Sequence, residues 1–125
     1  MIAKESALKI VIIDDDELVL ESTLSFLADE GFITTGFNSH LPALLSINNE
    51  PPDVCIVDYR MPDIDGEELV ILIKKSSPAI RCLIYTGAPI ILTNTLRQYG
   101  ITESDIILKP INDFDAFVSL LLQRH

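Results

Sequence analysis

Five times along the chain a short apolar run breaks off and gives way to a stretch whose apolar positions recur at helical spacing. The runs are Lys9 to Ile13, Phe32 to Phe37, Val54 to Asp58, Ile80 to Tyr85 and Asp105 to Leu108. Strands that alternate with helices cannot pair through hairpins, so each must return by a right-handed crossover to a parallel neighbour, and the helices then cover both faces of the sheet. The expected fold is therefore α/β: a doubly wound (βα)5 three-layer sandwich around a five-stranded parallel sheet. Its expected strand order is 2-1-3-4-5, with the switch point between the first and third strands. A composition of 48% apolar residues, weighted toward Ile, Leu and Val, suits a sheet buried on both faces.

The helices have their own signals. Leu20, Leu24 and Leu27 form the stripe of the first, which begins near Glu17 and stops at Gly31. Asn38-Ser39 is the expected cap of a second helix carrying Leu41, Pro42, Leu44, Leu45 and Ile47, ended by Pro51-Pro52. Gly66 to Lys75 gives a third, with Leu69 and Ile73 inward and Lys74-Lys75 complementing its dipole. Ile91 to Tyr99, closed by Gly100, is the expected fourth helix. Asn112 is the expected cap of a fifth, on which Phe114, Phe117, Val118 and Leu121 share a face. With 125 residues there is room for one core, and residues 8–123 read as a single domain after a short lead-in at 1–7. No repeat, linker or output domain is visible, which leaves a stand-alone unit or a piece of something longer.

Charge and cysteine usage narrow the function classes. The formal net charge of −10 leaves no basic stripe, so direct nucleic-acid binding is not expected. No run approaches the roughly 18 apolar residues of a membrane span, and the first residues lack the pattern of a secretory signal. Cys55 and Cys82 sit inside apolar strands without metal-ligand spacing, so a reducing, cytoplasmic setting is expected.

The third strand ends on a carboxylate, and the chain then turns at once through Asp58-Tyr59-Arg60-Met61-Pro62-Asp63-Ile64-Asp65-Gly66. Alone, such an aspartate opens a turn or caps the next helix. The first strand also ends in acids, Asp14-Asp15-Asp16, and the expected strand order brings Asp14, Asp15 and Asp58 to one crevice at the carboxyl edge of the sheet. Clustered carboxylates repel unless a cation or shared proton relieves the charge. A hard divalent ion such as Mg²⁺, which takes one or two carboxylates plus water and phosphate oxygens, suits this half-filled shell. His40 and His125 lie in no metal-ligand pattern, so zinc has no support. Thr86 ends the fourth strand and Lys109 the fifth, at the same edge. A hydroxyl and an ammonium beside a carboxylate and a cation suit phosphoryl transfer with Asp58 as nucleophile.

Asp14-Asp15, Asp58 in its Asp-Tyr-Arg-Met-Pro-Asp-Ile-Asp-Gly context, Thr86 in Ile-Tyr-Thr-Gly-Ala and Lys109-Pro110 together resemble a response-regulator receiver domain of two-component signalling, of the CheY-like kind, over nearly the whole chain. The resemblance implies that Asp58 accepts a phosphoryl group from a phosphohistidine on a sensor histidine kinase or phosphotransfer protein and later loses it to water. By this likeness the chain is a signalling phosphoacceptor rather than an enzyme. The resemblance further implies Mg²⁺, for which Mn²⁺ can substitute, held by Asp15, Asp58 and the backbone carbonyl of Arg60, with Asp14 acting through water. It also implies a cis Lys109-Pro110 bond, switching contributions from Thr86 and Lys109, and a downstream target or self-association at the face formed by helix four, strand five and helix five.

The resemblance implies as well that Arg60 and Ala88 flank the path of the hydrolytic water, where they are expected to tune the phosphate's lifetime. Other positions depart from the pattern. Ile106 stands where many receivers carry a Tyr or Phe whose ring moves with the Thr; a β-branched aliphatic has no ring to relocate, so the coupling is expected to differ. Pro89-Ile90-Ile91-Leu92 is apolar for a loop beside the site, and is read first as packing under helix four and second as a contact surface.

Three other readings compete. A haloacid-dehalogenase-like phosphatase would use Asp14 as nucleophile in Asp-x-Asp, but Leu18 stands where a Thr or Val would follow, and no later strand ends in a further acidic pair. A phosphorylation-independent pseudo-receiver would usually lack one of the acids or the Lys. A flavodoxin-like module wants a hydroxyl- and Gly-rich phosphate loop where this chain has three carboxylates.

Overall fold

The computed structural model describes residues 7–123. The lead-in expected at 1–7 and the end of the chain at His125 lie outside that range, apart from Ala7. The elements follow in strict alternation: β1 (Lys9–Ile13), α1 (Glu17–Asp29), β2 (Ile33–Phe37), α2 (His40–Asn49), β3 (Val54–Asp58), α3 (Gly66–Ser76), β4 (Arg81–Thr86), α4 (Asn94–Gln98), β5 (Ile106–Leu108) and α5 (Phe114–Leu122). All pairings between these strands are parallel and the strand order is β2-β1-β3-β4-β5.

Alternation along each strand divides the core into two layers. Val11, Ile13, Cys55, Val57, Cys82 and Ile84 pack against α2, α3 and α4. Ile10, Ile12, Val54, Ile56, Leu83 and Tyr85 pack against α1 and α5, where Leu20, Leu27, Phe117 and Leu121 meet them. The central strand β3 is buried at every position, as a strand covered on both faces must be. Within these layers Cys55 and Cys82 are register partners on β3 and β4 and remain free thiols. Burial pushes the Cys55 thiol up and the Cys82 thiol up to about 12, so both behave as small hydrophobes.

Several helix boundaries differ from the expected ones, each because a capping group outranks the apolar pattern. Thr93, not Ile91, starts α4: its hydroxyl accepts the Leu96 N–H, and residues 89–92 before it belong to neither helix nor strand. Asp113, not Asn112, caps α5 by accepting the Ala116 N–H. Asp105 precedes β5 in a single 3₁₀ turn and is bonded back to Thr102 rather than being part of the strand. On α2 the buried residues are Ala43 and Ile47, while Leu41 and Leu45 face outward, 64% and 73% exposed. Two stripes offset by two residues point to opposite sides of a helix, and only one of them can meet the sheet. Gly31 and Gly100, with φ of 96° and 86°, close α1 and α4 in the left-handed conformation that glycine adopts without a steric penalty.

Gly66, the first residue of α3, is required by close approach rather than by φ. A Cβ there would lie 2.6 Å from the Tyr59 Cα and 3.0 Å from the Asp58 carbonyl oxygen. The helix start is thereby pressed against the backbone that leaves β3, and the Gly66 N–H donates to Tyr59 O at 2.8 Å. Asp65 caps the same helix by accepting the Glu68 N–H at 2.8 Å.

Leu83→Ala, in the fully buried layer against α1 and α5, should lower the unfolding free energy by about 2–5 kcal/mol in urea titrations. Leu45→Ala on the exposed side of α2 should stay within about 0.5 kcal/mol of wild type. Gly66→Ala should cost about 1–3 kcal/mol, because the atoms it meets are backbone and cannot step aside.

Candidate phosphoacceptor and metal site

β1 and β3 lie side by side at the centre of the sheet, and their carboxyl ends present Asp14, Asp15 and Asp58 together. One carboxylate oxygen from each lies within 4.8 Å of the others, the only such group of potential metal ligands among the described residues. Asp14 is fully buried and Asp58 is 5% exposed, whereas Asp15 faces solvent. Backbone donors hold the two buried acids: the Asp16 N–H reaches Asp14 Oδ1 at 2.9 Å and the Arg60 N–H reaches Asp58 Oδ1 at 3.3 Å. Asp16, the third acid of the run, is spent on capping α1, where it accepts from Leu18 and Val19.

Lys109 closes the site from the far side. It follows β5, two strands away from β3, and its Nζ lies 3.1 Å from Asp14 Oδ2 and 3.4 Å from Asp58 Oδ1. The Lys109-Pro110 bond is cis, and the Lys109 N–H donates to Thr86 O at 2.8 Å, which continues the β4–β5 pairing past the strand end. Burial by itself would lower the Lys109 pKa, but the hydrogen bond and charge of Asp14, reinforced by Asp58, outweigh it and raise it. Asp58 is pushed in the unusual direction for a carboxylate beside a lysine. Burial first, then the charge and hydrogen bond of Asp14, bring it up to about 7, against the opposing pull of Lys109 and the Arg60 N–H. Ionising Asp58 in this crevice is therefore costly unless something else supplies positive charge.

Thr86 reaches the same edge, 1% exposed, but its hydroxyl is engaged with its own loop. Oγ1 donates to Ala88 O at 2.8 Å and the Ala88 N–H donates back at 3.3 Å. It therefore has to break this pair before it can donate into the acidic crevice. Ala88 is thus the group that holds the hydroxyl, a role hidden in the sequence because it runs through Ala88's backbone. Arg60, exposed, lines a surface recess of about 470 Å³ beside the acids, together with Asp15, Tyr59, Met61, Pro62 and Asp65. Ile106 is half-buried on β5, level with Ile84 of β4, and packs against the α2–α4 layer.

The geometry also contains a contact that no spacing in the sequence announces. Tyr85, immediately before Thr86, turns to the opposite face of the sheet and sits under the Lys109 ammonium, 4.7 Å from Nζ to the ring centroid. Its signal in the sequence was only an aromatic among aliphatic strand residues.

With chelator present, the raised Asp58 pKa gives stability a defined pH dependence. The native chain binds more protons than the unfolded chain between about pH 4 and 7, so the urea midpoint should fall as pH rises through that window and level off above it. Asp58→Asn should remove the decline and be more stable than wild type at pH 8, as read by urea titrations across pH.

Comparison with known proteins agrees with this geometry. Residues 10–120 match the response regulator receiver domain family. The regulatory protein VanRc of Enterococcus gallinarum is 35% identical over 121 residues, which is 94% of this chain and 51% of that protein. The DNA-binding transcriptional regulator NtrC of Proteus hauseri is 31% identical over 110 residues, 88% of this chain and 23% of that protein. The chain thus spans about half, or less, of the length of these curated relatives. Among solved structures, the CheY-like receiver domain from Methylobacillus flagellatus superposes with a TM-score of 0.80 at 19% identity, covering 94% of this chain and 99% of that one. The CheY-like receiver domain protein from Methanospirillum hungatei JF-1 gives 0.74 at 25% identity, covering 92% and 91%. A parallel sheet of this order, three acids at its carboxyl edge and a sequence match across 10–120 have one reading in common: the chain belongs to the response regulator receiver domain family of two-component systems.

Proposed function

We propose that residues 8–123 act as one phosphoacceptor unit in which Asp58 receives a phosphoryl group from the phosphohistidine of a sensor histidine kinase or phosphotransfer protein. The observation that carries this is the meeting of Asp14, Asp15 and Asp58 within 4.8 Å of one another, with the Lys109 ammonium 3.1 and 3.4 Å from two of them. An Asp58 oxygen attacks phosphorus, the bond from phosphorus to the imidazole nitrogen breaks, and an acyl phosphate forms. Lys109 and Thr86 donate to the phosphoryl oxygens, Thr86 after leaving Ala88 O, so developing charge meets donors that the fold has already placed. Water then attacks phosphorus, inorganic phosphate leaves and the carboxylate returns. Arg60 and Ala88 border that path and set its rate.

The donor set fits a hard divalent cation: all oxygen, two acids buried and one exposed, and more negative charge than one lysine offsets. Mg²⁺, with Mn²⁺ as substitute, would be held by Asp15, Asp58 and the Arg60 carbonyl, with Asp14 acting through water. When bound, it supplies the positive charge that lets Asp58 ionise at neutral pH. No helix among the described residues is long and apolar enough to cross a membrane, and a reducing cytoplasmic setting fits the two free thiols. The formal charge of −10 argues against contact between this surface and nucleic acid; the DNA-binding role in a relative's name is that protein's own.

Output is assigned to the α4–β5–α5 face, for a protein target or a second copy. Its loop splits between packing and display: Leu92 is buried at 7% exposure, whereas Ile91 stands out at 88%, with Leu108 at 51% nearby in sequence to the site lysine. The phosphatase reading loses ground because Asp16, the second acid of its motif, caps α1.

Incubation with acetyl phosphate and Mg²⁺, followed by borohydride trapping and peptide mapping, should place the adduct on Asp58. Asp58→Asn should stay unlabelled, and an adduct on Asp14 would favour the phosphatase instead. Lys109→Met should slow labelling on the order of 100-fold, the usual effect of deleting one preplaced donor. Light scattering over a concentration series, with and without beryllofluoride, should show association that Ile91→Glu abolishes; a monomer throughout would leave a separate protein as the only target of that face.

A further inference from the structure

Lys109 has to cross a strand to reach the acids. In the order β3-β4-β5 the acid ends one strand and the lysine follows another, with β4 between them, a span of two inter-strand spacings or roughly 10 Å. The side chain on β4 that lies under this crossing is Tyr85. It is the register partner of Asp58 on one side and of Ile107 on the other, and strand alternation puts it on the α1/α5 face, opposite to Thr86. The ring is 5% exposed, and Nζ of Lys109 rests 4.7 Å from its centroid while reaching Asp14 and Asp58.

We propose that Tyr85 is a positioning residue for Lys109: its π-face forms the floor on which the ammonium is carried across β4 and held toward the phosphoacceptor. The inference rests on the phosphoacceptor reading of the site. An aliphatic residue at this place would also fill the layer, but it offers no quadrupole to attract a cation. The ring also takes up space that water would otherwise use to solvate the ammonium, which keeps the donor directed at the carboxylates.

Two measurements on the full chain test this. In lysine-labelled protein, the ε-methylene signals of Lys109, assigned through Lys109→Met, should be displaced upfield by the ring current in wild type. They should stay displaced in Tyr85→Phe and move to the ordinary lysine position in Tyr85→Leu. Undisplaced signals in wild type overturn the proposal, whether or not Tyr85→Leu folds. In acetyl phosphate labelling, Tyr85→Leu should be slowed about 3- to 30-fold, the span of a partly desolvated cation–π contact, and Tyr85→Phe should restore most of the lost rate. Labelling of folded Tyr85→Leu at the wild-type rate, or a loss that Tyr85→Phe repeats in full, also overturns it. If wild type takes no label at Asp58, the phosphoacceptor reading is what fails, and the ring-current displacement still decides where Lys109 is held.

Discussion

The structure depends on keeping negative charge where the sheet would otherwise be at its most apolar. Asp14 and Asp58 are buried beside isoleucines, at 0% and 5% exposure, they face each other across the central strand pair, and one lysine just past β5 answers both. Two buried like charges with one counter-charge are not at rest. The consequences run outward from that imbalance: an Asp58 carboxyl that burial and Asp14 push up to about 7, and a cluster of oxygen donors suited to a hard cation.

What makes such a cluster tolerable is the rigidity of its support. Ile13 and Val57, the strand residues just before the acids, and Ile84, two residues before the threonine, are fully buried, so the strand ends cannot drift apart to relieve the repulsion. The turn after β3 is pinned by α3, whose first residue must be glycine to approach the Tyr59 backbone. On the opposite side of the crevice, Thr93 joins the start of α4 to α3 by donating to Glu67 at 3.1 Å, so the loop that carries Ala88 is tied at both ends. The Thr86 hydroxyl, bonded to Ala88 O at 2.8 Å, has its partner on its own loop. Ile106 is packed against the α2–α4 layer and, as a β-branched aliphatic, has no ring to relocate.

Far from the site, the opposite edge is held by a second charged group. Arg81, at the start of β4, pairs with Asp105 at 3.4 Å and donates to the carbonyls of Leu120 and Gln123 at the end of α5. The guanidinium satisfies carbonyls that a helix end leaves open and fixes the last helix against the sheet. The two charged clusters thus lie at opposite ends of β4, one structural and one poised for chemistry.

The order of strands, the parallel sheet and the convergence of Asp14, Asp15, Asp58, Thr86 and Lys109 at one edge were legible in the sequence, because strand-helix alternation has few chiral solutions and a strand-terminal residue has only one edge to occupy. Local chemistry that competes with periodicity was less legible: α4 begins at Thr93 and α5 at Asp113, where a side-chain oxygen satisfies an open N–H, and the leucines of α2 divide between core and solvent because the sheet takes only one stripe. Only the tertiary structure decided which way the Thr86 hydroxyl turns, that Asp16 serves a helix instead of the crevice, and that Tyr85 lies beneath Lys109. Those outcomes depend on rotamers and cross-strand register between segments up to 95 residues apart, and one-dimensional patterns carry periodicity but not the distances across a sheet.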